Sequence, residues 1–396
     1  MKKSRKFQPV QILGCAMTRV TRAPAKSIKE MAYEVFSEAI KDAGISKDDI
    51  EGLFVTPPNF PGPPSFMFGC ELADYFQLKL KSLNLVECGG NTSTAAIHYA
   101  IDEIILKRNR INAVISIDVR FDPQMDLEFL LPQGIYLLSS IYGVHLSQYG
   151  IGTPLPLYAL GAQRYMHESN ITEEDAARLA VTLRENALKN PNAQYRDPIT
   201  VEDVMKSPMI SPPLKLLDCT SFSTAAGACI FADKDIRSKK TSVFVTGLGE
   251  FHNNSSFIPL NDSITSFPSV KESAREAYGV AGVKPSDIDV AEIYGVFSFT
   301  ELMLYEDIGF FKRGSAAGAV REGMTKIDGE IPINMSGGRL SLGHPALATP
   351  MLELVEITRQ LRGECGERQV KNPKTGLVHS EHGMLDGSTV LILERG

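Results

Sequence analysis

The side chains best suited to chemistry gather in a few glycine-rich stretches. In Gly343-His344-Pro345, glycine permits close backbone approach, proline suits the first turn of a helix, and the imidazole projects from that helix's positive end. A histidine so placed holds its proton less tightly and serves as a neutral donor or base, unless it is simply a structural histidine at a helix cap. Upstream, Asn334-Met335-Ser336-Gly337-Gly338 opens the same region, and Tyr294 is followed by Gly295 and Val296. Leu85-Val86-Glu87-Cys88-Gly89-Gly90 leads into an Ala-rich helix. Cys88 lies at a strand end before that helix, and a buried cysteine is commonly a small hydrophobe.

Other residues carry less. Cys219 sits in an inward turn, and His98 and His145 lie on apolar faces and read as core. His252-Asn253-Asn254 reads as a polar loop able to line a pocket. Gly247-Leu248-Gly249 lacks the third glycine of a dinucleotide fingerprint. Cys15, Cys70, Cys88, Cys219, Cys229 and Cys365 fall in no zinc-ligand spacing, so no metal is expected and the thiols are read as free in a reducing cytosol.

The elements that must position these residues repeat. Ser27 to Ala32, followed by Ala43 to Ile50, is echoed by Ser269 to Ala274, followed by Ala281 to Ile288. Each copy reads as a helix closed by Ala-Gly, an acidic turn and a strand, at Gly52 to Thr56 and at Val290 to Tyr294. Each then continues into a second helix and strand: Thr92 to Leu106 and Ala113 to Asp118, then a helix through Arg362 and a strand from Thr389 to Leu393. Two copies of a strand-helix alternation predict a duplicated α/β protein whose site lies where both halves present helix N-termini. The expected division is an N-terminal half (1–120 plus 208–240), an inserted loop domain (121–207) and a C-terminal half (241–396). The insert contains a helix, Thr172 to Lys189, capped by Thr172 with Asp175 at the capping-box position. Leu216 to Thr220 reads as a turn before a buried Ala/Gly-rich strand.

In this order the segments resemble the thiolase superfamily, in its sterol-carrier-protein-type branch, over nearly the whole chain. Asn334 to Pro345 resembles the thiolase signature in which Gly-Gly precedes Gly-His-Pro. Asp287 to Phe297 resembles the segment where that branch places His-Asp-Cys-Phe, and Leu216 to Thr220 and Arg359 to Gly363 also recur there. The resemblance implies a thiolase fold in a five-layered α/β/α/β/α arrangement, CoA thioester substrates without a covalently bound cofactor, and a homodimer. A small zinc-ribbon/OB-fold subunit is implied as a possible partner.

The departures matter most. Alignment by the following helix puts Gly90 where thiolases carry their nucleophilic cysteine. Tyr294 replaces the histidine of His-Asp-Cys-Phe, and the loop of the second thiolase cysteine reads His379-Ser380-Glu381-His382-Gly383. One reading is cysteine-independent retro-aldol cleavage of a β-hydroxyacyl-CoA, with Tyr294, His344 and a loop histidine, His379 or His382, handling protons. Gly89, Gly90, Asn334, Gly337, Gly338 and Gly343 then shape the oxyanion site or its loops. Thiolase-like steroid side-chain aldolases resemble this chain in the glycines and the tyrosine, but carry a second tyrosine where His344 stands. A second reading is thiolytic or Claisen-type acyl transfer with Cys88 as nucleophile and His344 as base. A third is an inactive thiolase-like scaffold subunit. A lid over the acyl group is expected from Tyr136 to Tyr158.

The bulk properties are those expected of a soluble globular protein. The chain has 396 residues, 41 Lys and Arg against 47 Asp and Glu, and no long basic run, which argues against nucleic acid as the main partner. No apolar run reaches the ~20 residues of a spanning helix. The amino-terminal Met1 to Lys6, ahead of Ile12-Leu13-Gly14-Cys15, has Gln8, Pro9 and Gln11 where a signal needs a continuous apolar stretch. It is read as a basic tail before a first strand, Pro9 to Met17, in a cytoplasmic protein.

Overall fold

The structure is a computed structural model that describes residues 7–58, 67–120, 153–253, 263–382 and 386–396. His145, Asn254, Gly383 and most of the stretch from Tyr136 to Tyr158 lie outside these residues. In chain order the strands are β1 (Val10–Met17), β2 (Gly52–Val55), β3 (Ser82–Leu85), β4 (Ile111–Asp118), β5 (Met209–Ser211), β6 (Leu214–Lys215), β7 (Ala225–Asp233), β8 (Val243–His252), β9 (Val290–Ile293), β10 (Thr375–His382) and β11 (Gly387–Arg395). The α-helices are α1 (Ile28–Ala43), α2 (Phe68–Phe76), α3 (Thr92–Ile105), α4 (Leu155–Ser169), α5 (Glu173–Leu188), α6 (Val201–Lys206), α7 (Pro268–Ala281), α8 (Ser298–Asp307), α9 (Ala316–Arg321), α10 (Gly338–Ser341) and α11 (Thr349–Arg362).

The fold is mixed α/β around a nine-stranded sheet in the order β3-β2-β4-β7-β1-β8-β11-β10-β9, with β5 and β6 forming a separate hairpin. Strands from the two repeats join edge to edge where Val10–Ile12 of β1 pair antiparallel with 243–245 of β8. The inner strands β1, β4 and β7 are buried along their whole length, so they read as unbroken apolar runs rather than alternating ones. The repeat shows at the helix C-termini, where Gly44 and Gly282 close α1 and α7 in the left-handed conformation; at the N-termini the copies differ, with a Ser27–Glu30 capping box on α1 and Phe267 without a side-chain cap on α7.

It also shows in how the outer helices seat. A Cβ on Gly14 of β1 would stand 2.2 Å from the Ala39 carbonyl of α1, and one on Gly249 of β8 would stand 2.0 Å from the Ser273 carbonyl of α7. In both repeats a glycine in the strand lets the helix settle onto the sheet.

Helices α3 and α11 pack against each other. Helix α11 is buried almost throughout, Glu353 and Glu356 included. Its apolar residues join those of α3, β1, β8 and β11 in one hydrophobic cluster. On the opposite side of the sheet's second half, α4, α5, α7 and α8 form another. The N-terminal ends of α3 and α11 are stitched together: Ser93 Oγ donates to Leu347 O (2.5 Å), and Leu347 N donates to Asp118 Oδ2 (3.0 Å) at the end of β4.

Two local expectations change. A 3-10 turn, Ala346–Ala348, separates Pro345 from α11, which begins at Thr349. Pro345 therefore does not stand in the first turn of that α-helix. His379 to His382 are not a loop: they lie in β10 and pair with β11, because the ladder runs to His382 opposite Gly387. Among the described residues, no helix is long and apolar enough to cross a membrane.

Candidate active site

Tyr294 follows β9 directly, and its position depends on Asn334. The Asn334 Oδ1 accepts from Ile293 N (2.7 Å), while its Nδ2 donates to Ile293 O (3.2 Å) and to Glu301. The amide thus continues the sheet's hydrogen bonding past the strand end. It is fully engaged as a positioning group, and its side chain has no N–H left over for an oxyanion. Gly337 N donates to Asn334 O (2.9 Å) and Gly338 N to Ser336 Oγ (3.3 Å), so these glycines also serve the loop.

His344 is held from three sides. Its backbone N donates to Ser223 Oγ (3.0 Å) and its carbonyl accepts from Ser223 N (3.0 Å), next to Gly343 at positive φ (109°). Its ring nitrogens face Thr349 and Tyr294: Nδ1 is 3.2 Å from Thr349 Oγ1, and Nε2 is 3.3 Å from Tyr294 Oη. Thr349 Oγ1 donates its own proton to Pro345 O (3.2 Å), which assigns the imidazole proton to Nδ1 and leaves Nε2 bare toward the phenol. The Tyr294 hydroxyl also has Ala346 O at 3.3 Å. The two rings meet edge to face at 5.2 Å.

The pair is dry, with Tyr294 3% and His344 5% exposed. Burial, and then the charge of Arg339, pull the His344 pKa down to about 3, whereas burial pushes Tyr294 well above the ordinary phenol value. Both groups are neutral near pH 7. The depressed basicity expected of this histidine has burial as its largest cause, followed by a buried cation. Arg339 is paired with Glu353 at 3.3 Å, both without solvent exposure.

The glycine corner is different. A Cβ on Gly90 would lie 2.0 Å from the Glu381 carbonyl of β10, a contact no side chain tolerates without moving backbone. Position 90 therefore has no room for a cysteine. Gly89, at φ 53°, turns the chain there and donates its N–H to Glu87 Oε1 (3.0 Å). The Cys88 thiol lies 3.9 Å from His382 Nδ1, and His382 Nε2 is 2.8 Å from His252 Nδ1. These three do not converge on one point, since thiol and His252 face opposite nitrogens of His382. Burial, then Glu250 and Glu87, raise the Cys88 pKa, and burial and His252 lower that of His382.

The sequence candidates thus divide. Tyr294, His344 and Asn334 come together, and Cys88, Gly89, Gly90 and His382 form a neighbouring group. His379 is fully buried with neither ring nitrogen bonded among the described residues, and burial lowers its pKa to about 3. Cys219 is packed against the cluster containing Phe297, its thiol 3.2 Å from Lys215 O and its pKa raised by burial to about 12. His98 is not a core residue: it bonds Glu250 Oε2 at 3.0 Å at the edge of α3. Sequence reasoning missed Ser223, Thr349 and Glu381. Only Thr349, one turn after Pro345, carried a local signal.

The chain as a whole is similar to known proteins. Residues 249–395 match the family described as thiolase C-terminal domain-like. The solved structure of an Ltp2-ChsH2(DUF35) aldolase superposes with a TM-score of 0.83, at 25% identity and 98% coverage of both chains. The chain is a thiolase homologue. This homologue is 39% identical over 253 residues to an acetyl-CoA acetyltransferase of Methanothermobacter thermautotrophicus, a match spanning 63% of the chain and 65% of that protein. It is 26% identical over 400 residues to sterol carrier protein 2 of Oryctolagus cuniculus, covering 95% of the chain and 71% of the relative. Its fold is the thiolase fold.

Proposed function

We propose that this thiolase homologue is an enzyme acting on acyl-CoA thioesters, and that it cleaves a β-hydroxyacyl-CoA by a cysteine-independent retro-aldol reaction. The observation that carries this reading is the pairing of bare His344 Nε2 with the Tyr294 hydroxyl beside a position 90 closed to any side chain. The likeness to the Ltp2-ChsH2(DUF35) aldolase supports it.

The proton path follows from the assigned tautomer. In one concerted step Tyr294 gives its proton to His344 Nε2 as its oxygen takes the proton of the substrate's β-hydroxyl, so that the imidazolium forms only together with the enolate's negative charge and not alone in the dry site. The Cα–Cβ bond breaks, the β-carbon becomes an aldehyde or ketone carbonyl, and the electron pair moves into a thioester enolate. The proton returned through the pair to Cα yields the shortened acyl-CoA, so nothing is consumed from outside. General acid–base work of this kind contributes roughly 10²–10⁴-fold. A homodimer and a small DUF35-type partner, like the one in the superposed aldolase, belong to this proposal.

A second reading draws on the Cys88–His382–His252 row, which has the order of nucleophile, base and orienting group. It makes the protein an acyltransferase like its archaeal relative. The raised Cys88 pKa weighs against it.

The deciding assay measures cleavage of β-hydroxyacyl-CoA thioesters, with and without a DUF35-type subunit, by Tyr294→Phe, His344→Ala and Cys88→Ala. Loss in the first two alone supports the aldolase. Loss only in Cys88→Ala, with an acyl adduct by mass spectrometry, replaces it with acyl transfer. Inactivity of every preparation supports a scaffold.

A further inference from the structure

Phe222 stands out because its environment contradicts its chemistry. It is 63% exposed, the most exposed large apolar side chain among the described residues. Ordinarily a ring left in water sits on a loose loop, but this segment is tightly held. Thr220 N donates to Val296 O (3.1 Å), close after Tyr294, and Thr220 Oγ1 donates to Arg339 O (2.8 Å). Ser223 bonds the His344 backbone in both directions at 3.0 Å, and Thr224 N donates to Thr21 O (2.8 Å). The backbone of residues 220–224 is therefore fixed to the loops that carry the reactive pair.

The ring is fixed in the same frame. It stacks on the His344 imidazole with centroids 5.6 Å apart and planes 26° apart, while Tyr294 meets that imidazole edge to face. One side of Phe222 thus shields the base from water, and much of the remainder is open beside the reacting atoms. An open aromatic face next to a dry polar pair is a surface that an apolar group can cover with gain. An acetyl group has too little area to do so.

We propose that Phe222 selects the acyl group: its ring is the solvent-side wall of the site and takes the apolar part of an acyl-CoA beyond the reacting carbons. The substrate class is then acyl-CoA thioesters with apolar bulk on the acyl chain, rather than acetyl-CoA. This rests on the acyl-CoA reading above.

The test is calorimetric titration of the full chain with octanoyl-CoA, acetyl-CoA and free CoA as unreactive probes. Phe222→Ala is expected to weaken octanoyl-CoA about tenfold, the loss of some 50 Å² of apolar contact, and to change acetyl-CoA and free CoA by less than about twofold. Phe222→Tyr, which keeps the aromatic face, is expected to bind octanoyl-CoA as the parent does. Equal losses for all three probes, unchanged octanoyl-CoA affinity in Phe222→Ala, or a Tyr variant as weak as the Ala variant would overturn the inference and leave the acyl-CoA reading standing. A parent protein that binds none of the three overturns both.

Discussion

The corner around His344 and the corner around Cys88 each lie just ahead of a central helix, yet their surroundings are opposite in character. At the first, the hydrogen bonds turn inward: Thr349, Tyr294 and Ser223 enclose a neutral imidazole that burial has made hard to protonate. At the second, the thiol is half-buried and its neighbours lead outward, through His382 to the exposed His252. Burial, and then the charges of Glu250 and Glu87, raise the thiol's pKa there, the opposite of the lowering that activates a cysteine.

The largest effect that can break this contrast is on turnover. Tyr294→Phe and His344→Ala are expected to lower β-hydroxyacyl-CoA cleavage by roughly 10²–10⁴-fold, with Cys88→Ala within about twofold of the parent. The opposite pattern in steady-state rates moves the chemistry to the other corner. The next effect is on stability. Gly90→Ala forces a Cβ against the Glu381 carbonyl, and a loss of about 1–3 kcal/mol is expected in denaturant unfolding. An unchanged midpoint would mean that the corner has room for a side chain.

A smaller effect separates buried histidines from accessible ones. His379 has its pKa lowered from 6.5 to about 3, so between these values the unfolded chain binds a proton that the folded chain does not. The wild-type protein accordingly loses stability at this residue as pH falls from 6.5 toward 3. Relative to it, His379→Leu is expected to gain roughly 1–2 kcal/mol between pH 7 and pH 5, measured as the difference in unfolding free energy. A difference that stays constant with pH counts against a neutral His379. The smallest effect is on reactivity. Iodoacetamide labelling of Cys88, followed by mass spectrometry, is expected to be slow at pH 7.5 and still rising above pH 9, because the thiol's pKa is raised from 9.0. A plateau near neutral pH would restore Cys88 as a nucleophile.

Much of this was legible along the chain. The repeated helix, turn and strand are local patterns, so the closures at Gly44 and Gly282 and the capping box of Thr172 with Asp175 read directly from residue type and spacing. His344 and Tyr294 stood out because each sits beside glycine in a stretch that resembles a known signature. The histidines of β10 were less readable: a strand's last residues resemble a loop in sequence, and only pairing with β11 decides. His98 was misread as core because the partner that draws it outward, Glu250, lies on β8, 152 positions away.

By itself the sequence determined the α/β alternation, its duplication, and which side chains were chemically able to act, since these depend on local propensity and spacing. Tertiary structure alone decided which of them meet. It set Nε2 of His344 against the phenol through Thr349 and Ser223, and closed position 90 with a carbonyl from a distant strand. Proton affinity, too, came only with the fold, because it depends on how much water and which charges the packed chain leaves around each group.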